Sequence, residues 1–154
     1  MENEDYVGVL ARFASGAVGT FESSRAAVGP RAKYVIEVYG TCGSVRWNFQ
    51  RLNELEVCLG RNDENHGYTT VMAGPEHGEF ARFQPGPETS MGFDDLKTIE
   101  AGLSLESMAS GKQLGPSAAD GWSAACLADA AEQSAADSAW HKVGSVSGTT
   151  TYDA

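Results

Sequence analysis

The sequence has little from which to build a metal or disulfide centre. Its three cysteines, Cys42, Cys58 and Cys126, lie far apart without a CxxC pair, and its three histidines, His66, His77 and His141, are as scattered. Structural zinc draws four such ligands together at short spacings, so no metal site is expected. An odd cysteine number argues against the paired disulfides of a small secreted domain and for a reducing, cytoplasmic setting. No apolar run is long enough to span a bilayer. The segment Met1-Glu2-Asn3-Glu4-Asp5 is acidic where a secretory leader would be basic and then apolar. Basic residues are scarce as well, 11 against 21 acids for a formal charge of −10. Nucleic acid and anionic membranes both require a basic face, so neither is an expected partner. The acidity reads as solubility.

Catalytic signatures are missing too. No GxGxxG lies between a strand and a helix. Its nearest approach, Gly16-Ala17-Val18-Gly19, falls in a hairpin without the first glycine and reads as turn and strand packing. Neither a GxSxG elbow nor an HExxH helix occurs. Asp94 and Asp95 are neighbours on an expected helix and point in different directions, which argues against a carboxylate pair for acid–base work.

What the chain does have is alternation. From Tyr6 to Leu59 apolar and polar residues exchange with a period of two, the pattern of strands with distinct faces. Val7, Val9, Ala11 and Phe13 form one set, and Tyr6, Leu10 and Arg12 face the other way. Ala14-Ser15-Gly16 supplies a hairpin loop with glycine where positive φ is needed. A second strand runs from Ala17 to about Ala27, ended by Pro30. Tyr34, Ile36 and Val38 make a third, Val45, Trp47 and Phe49 a fourth beyond the Gly40-Thr41-Cys42-Gly43 turn, and Leu55, Val57 and Leu59 a fifth, with Glu54 and Glu56 outward. Short loops favour antiparallel neighbours, hence a meander. Tyr68 to Met72 reads as one more strand.

Helices follow. Phe93 to about Ser110 carries Asp94 and Asp95 in its first turn, a stripe of Phe93, Leu96, Ile99 and Leu103, and Gly111 as C-cap, with Leu105 and Met108 off the stripe. Ser117 and Asp120 stand at capping-box spacing before an alanine-rich helix to Ala136. Trp140, His141 and Val143 read as a short edge strand, and residues 144–154 as a disordered tail. The 154 residues form one domain. Strands first and helices later make an α+β fold: a mostly antiparallel, open-faced sheet with two C-terminal helices covering one face. The other face, with Tyr6, Leu10, Val18 and Tyr39, is more apolar than a plain solvent face and suits packing on another subunit or domain.

Two side chains stand out for a site. His77 lies in a glycine- and proline-rich loop between Glu76 and Glu79, near Phe80 and Phe83. There it can bond a substrate hydroxyl, shuttle a proton, or simply be solvated. Arg25 follows the second strand and can fork onto hydroxyls or a phosphate, or pair with Glu22 or a loop carboxylate. Trp47 and Trp122 read as core. These residues alone do not assemble a catalytic centre.

Several stretches, in order and spacing, resemble the C-terminal domain of the Gfo/Idh/MocA family of NAD(P)-dependent sugar and inositol dehydrogenases, with its inositol dehydrogenase-like branch the nearest in character. Glu4-Asp5-Tyr6-Val7-Gly8-Val9-Leu10-Ala11-Arg12-Phe13, then Ser15 to Arg25, is similar to the family's strand, small-residue turn and G-x-x-G-T-x-E strand. Glu37-Val38-Tyr39-Gly40-Thr41-Cys42-Gly43-Ser44-Val45 is similar to its E-x-x-G-T-x-G-S turn. Met91-Gly92-Phe93-Asp94-Asp95-Leu96-Lys97-Thr98-Ile99-Glu100-Ala101 resembles its G-Y-D-D-L-K-x-I-E helix start, with Phe93 in place of a frequent tyrosine. Ala119-Asp120-Gly121, Ala130 and Ser134 resemble its closing helix. The likeness spans residues 4 to 143.

The resemblance implies a two-domain enzyme. A Rossmann half would hold NAD(P), and this domain would supply one wall of a sugar or polyol pocket and an open sheet for homo-oligomer contact. The family's catalytic residues precede the stretch matched here, so no catalytic and no cofactor-binding residue is carried over, and this chain alone is expected to be inactive and to bind no nicotinamide. His77 and Arg25 are the substrate-wall candidates. Two other readings stand beside this one: a freestanding module that dimerises through its sheet or binds a ligand, and a small enzyme centred on His77 with Glu76 or Glu79.

Overall fold

The computed structural model describes residues 4–60 and 67–144. The expected α+β fold is what the chain adopts, as two antiparallel sheets and two helices. The strands do not form one continuous run. Strands β1 (Tyr6–Arg12) and β2 (Val18–Ser24) make a two-stranded ribbon. Strands β3 (Val35–Tyr39), β4 (Gly43–Asn48), β5 (Glu54–Leu59) and β6 (Thr69–Met72) make a four-stranded meander in chain order. The division has a local cause. β2 ends at Ser24, short of the expected Ala27, because the chain turns there: Ser24 Oγ accepts from the Ala27 N–H, and the Arg25 N–H donates to Asp5 O. Gly29 then takes a left-handed φ of 109° before Pro30.

Compactness divides the chain into two units, residues 1–27 with 106–154, and residues 28–105. In the second unit the register explains the alternation read from the sequence. Ile36, Trp47, Leu55 and Val71 face one another across four strands, with Val38, Val45 and Val57 in the next row on the same face. Glu37, Arg46, Glu56 and Thr70 make the matching row on the opposite face. The apolar face continues into aromatic edge-to-face contacts, Trp47 to Phe49, Tyr34 to Phe49, and Phe49 to Phe93. Phe93 begins helix α1 (Phe93–Ser110). Within α1 the stripe residues Leu96, Ile99 and Leu103 are half-buried, whereas Leu105 and Met108 are exposed, as their positions off the stripe imply. At the β3–β4 turn Gly43 has no room for a side chain, since a Cβ would lie 2.8 Å from Cys58 O. The tight Gly40 to Gly43 turn therefore requires glycine at its end.

Asn53 ties this unit together. Its Nδ2 donates to Met91 O at 2.9 Å and its Oδ1 accepts from the Met91 N–H at 2.8 Å. The Asn53 carbonyl accepts the Ala73 N–H at 2.7 Å. The loop between β6 and α1 thus begins and ends on one residue. Met91 is 5% exposed, among the few buried apolar side chains of the described residues.

In the first unit helix α2 (Ala118–Asp137) begins with the expected box: Asp120 Oδ2 accepts from the Ser117 N–H at 2.7 Å, and Ser117 Oγ accepts from the Asp120 N–H. Ala131, Ser134 and Ala135 of α2 and Val7 to Leu10 of β1 line a cleft of about 350 Å³. Trp140 to Val143 does not form the expected edge strand. The bonds at the end of α2 involve the residues just before that segment and His141. Ser138 is left-handed at φ 59° with its N–H on Ser134 O, Ser134 Oγ donates to Ala139 O, and Asp137 accepts from Ala139 N–H and pairs with His141. Trp140 lies under the Arg12 guanidinium. The tail expected to be disordered lies, beyond Gly144, outside the described residues.

Two outcomes follow. Asn53→Ala leaves two backbone groups of a buried residue unpaired, at about 1–3 kcal/mol each, so urea denaturation should show a loss of about 2–4 kcal/mol. Asp120 and Asp137 both have carboxyls held below the ordinary value, Asp120 by the Ser117 N–H and hydroxyl, Asp137 first by the His141 bond. A depressed folded pKa gives stability that is full above the unfolded value and lost as pH falls through the folded one. Helicity should therefore decline below about pH 4, and Asp120→Asn should flatten that decline in a circular-dichroism acid titration.

Candidate functional site

The loop held at both ends by Asn53 carries the first sequence candidate. Its opening turn, Gly74-Pro75-Glu76-His77, closes on itself: the His77 N–H donates to Gly74 O at 3.0 Å, and the Gly74 N–H donates to His77 Nδ1 at 3.0 Å. Gly74 is buried, while the His77 side chain is 42% exposed. Glu76 Oε1 stands 3.8 Å from Nδ1. A short 3-10 helix, Gly78–Arg82, follows, with Glu79 paired to Arg82 rather than to His77. Phe80 and Phe83 are half-buried beneath it.

Arg25 lies in the other unit, immediately after β2. Its backbone N–H is fixed on Asp5 O. Its guanidinium makes no ion pair with Glu22 or with any other described carboxylate.

Three features escaped the sequence reading. Gln84 is 2% exposed, its N–H on Phe80 O, with neither amide atom bonded to a described residue. Arg46 is held between the Tyr68 ring, 3.8 Å away, and Glu56 Oε1 at 3.1 Å. Around it Arg46, Asn48, Arg51, Glu54, Glu56 and Thr70 line a polar cleft of about 240 Å³. The Arg51 guanidinium pairs with Glu54, which raises its pKa, and Tyr39 donates to Glu37, which raises its own. With both arginines committed to carboxylates, the cleft is a cross-strand ladder more than a receptor for an anion. Only the register points to it: alternation marks Arg46 and Glu56 as facing the same way but not as opposite each other.

Both helix starts carry acids already bonded to nearby backbone N–H groups. Pyrophosphate binds where bare N–H groups meet the positive end of a helix. Here α1 opens with Asp94 and Asp95, and Asp95 already accepts the Gly92 N–H. α2 opens with Asp120, which accepts the Ser117 N–H. The glycine pair Gly16 and Gly19 sits in and beside the β1–β2 turn.

Residues 1–143 match the model of the oxidoreductase family's C-terminal alpha/beta domain. The chain belongs to the Gfo/Idh/MocA family and is its C-terminal domain. Levoglucosan dehydrogenase of Pseudarthrobacter phenanthrenivorans is 36% identical over 145 residues, covering 94% of this chain and 37% of that protein. The solved levoglucosan dehydrogenase in complex with NADH superposes with a TM-score of 0.88 at 35% identity, over 93% of this chain and 39% of that one. An NAD-binding oxidoreductase from Klebsiella pneumoniae gives 0.85 at 30%, over the same 93% and 39%. The chain thus spans somewhat over a third of the length of these relatives. In the family's helix-start motif, Phe93 is committed to Phe49 and to Lys97, whose ammonium lies 5.6 Å above the ring.

Because the Arg25 guanidinium holds no described partner, Arg25→Ala should change unfolding free energy by no more than about 0.5 kcal/mol. A larger loss in urea denaturation would give Arg25 a structural role.

Proposed function

We propose that this chain is the substrate-side and oligomerisation domain of an NAD(P)-dependent oxidoreductase that acts on the CH–OH group of a sugar or polyol. The observation that carries the reading is the superposition on levoglucosan dehydrogenase, solved with NADH and, in a further structure at a TM-score of 0.87, with levoglucosan as well. In the complete enzyme a hydride passes between the carbinol carbon and nicotinamide while a base takes the hydroxyl proton. A Rossmann half supplies the cofactor site and the base. This domain supplies His77 and Arg25 to the substrate wall, in a cytoplasmic enzyme.

The open sheet surfaces support the oligomer. Tyr6, Leu10 and Val18 on the ribbon and Tyr39 on the meander are all more than half exposed. Exposed apolar side chains on a sheet face suit an interface.

The reading is tested by titrating the chain with NAD and NADP. No saturable signal is expected from the chain by itself, and turnover of levoglucosan or myo-inositol is expected once a Rossmann half is supplied. Micromolar nicotinamide binding by this chain alone would overturn it.

A further inference from the structure

The turn around His77 fixes the chemistry of the ring as well as its place. A backbone N–H is always a donor, so the Gly74 N–H at 3.0 Å makes Nδ1 an acceptor with its lone pair in use. In a neutral imidazole the one ring proton must then sit on Nε2. Nε2 has no bond to a described residue, and the ring is 42% exposed. For Nδ1 to take a proton, the ring must give up Gly74 and turn to Glu76 Oε1, now 3.8 Å away. The reciprocal His77 N–H to Gly74 O bond and Pro75 hold the backbone of the turn in which the ring and the Gly74 N–H meet. Gly78, left-handed at φ 59°, then carries the chain away into the 3-10 helix.

From this geometry we propose that His77 is a fixed hydrogen-bond donor, presenting Nε2–H to a hydroxyl oxygen of a neutral sugar or polyol, and that it is not a proton-abstracting base. The assignment rests on the reading of the chain as a substrate-side domain. Glu76, an exposed carboxylate with Oε1 3.8 Å from Nδ1 and no cation paired to it among the described residues, favours a neutral ligand. A phosphate or carboxylate group brought to Nε2–H would meet that charge. A hydroxyl would not, and it has a lone pair for the donor.

Long-range proton–nitrogen NMR on the ¹⁵N-labelled chain, with a Rossmann half supplied, tests the assignment, and His77 is identified by the signals lost in His77→Asn. The expected result is an unprotonated Nδ1 and a protonated Nε2, with levoglucosan moving the ring signals and glucose 6-phosphate leaving them in place. His77→Asn keeps an oxygen for the Gly74 N–H but no donor at the Nε2 position. It should retain the folded spectrum and lose the levoglucosan response of this loop. A protonated Nδ1 overturns the donor assignment whatever the chain does. Levoglucosan shifts elsewhere in the spectrum with a silent His77 overturn the role of His77 and leave the domain reading intact. Silence throughout removes both.

Discussion

One asparagine sets both ends of the loop on which the proposed site depends. A carboxamide carries a donor and an acceptor side by side, so it can bond a backbone N–H and its neighbouring C=O as another strand would. Asn53 does this to Met91 with its side chain while its own carbonyl holds Ala73. The loop between them is closed without a long apolar contact. Its internal bonds, the Gly74–His77 pair and the turns onto Phe80, then need only local geometry. The start of α1 is aimed by the same clamp, which brings Phe93 against Phe49 at the end of the aromatic row.

The sheets show what cross-strand register does to a period-two sequence. Residues opposite each other lie on the same face, so four short alternating segments sum to an apolar row from Ile36 to Val71 and a polar row from Glu37 to Thr70. Arg46 is central to the polar row, stacked on Tyr68 and paired with Glu56. Apolar side chains nonetheless stay exposed on the ribbon and on the edge strand β3, where Ile36 and Val38 are more than half accessible. An edge strand has only one neighbour to cover it.

His77 and Arg25 differ in how they are held. The His77 ring accepts from the Gly74 N–H, whereas Arg25 is fixed through its backbone and its guanidinium pairs with no described carboxylate. The acidic first turns of both helices fit capping and oppose phosphate.

Much of this was legible in the residues themselves, because it depends on neighbours in sequence. Alternation placed the strands and their faces, Gly16 and Gly111 marked turns that need positive φ, and Ser117 with Asp120 announced a capping box that forms as expected. The family motifs are likewise runs of contiguous residues. Tertiary structure decided the rest. Whether the strands formed one sheet or two turned on bonds from Ser24 and Arg25 back to Asp5 and Ala27. Trp140 to Val143 had the composition of a strand, yet it forms none, and His141 pairs with Asp137 at the end of α2. Asn53 finds Met91 at a separation of 38 residues, which no local period encodes. The acceptor state of His77 Nδ1 likewise required seeing which donor the fold turned toward it.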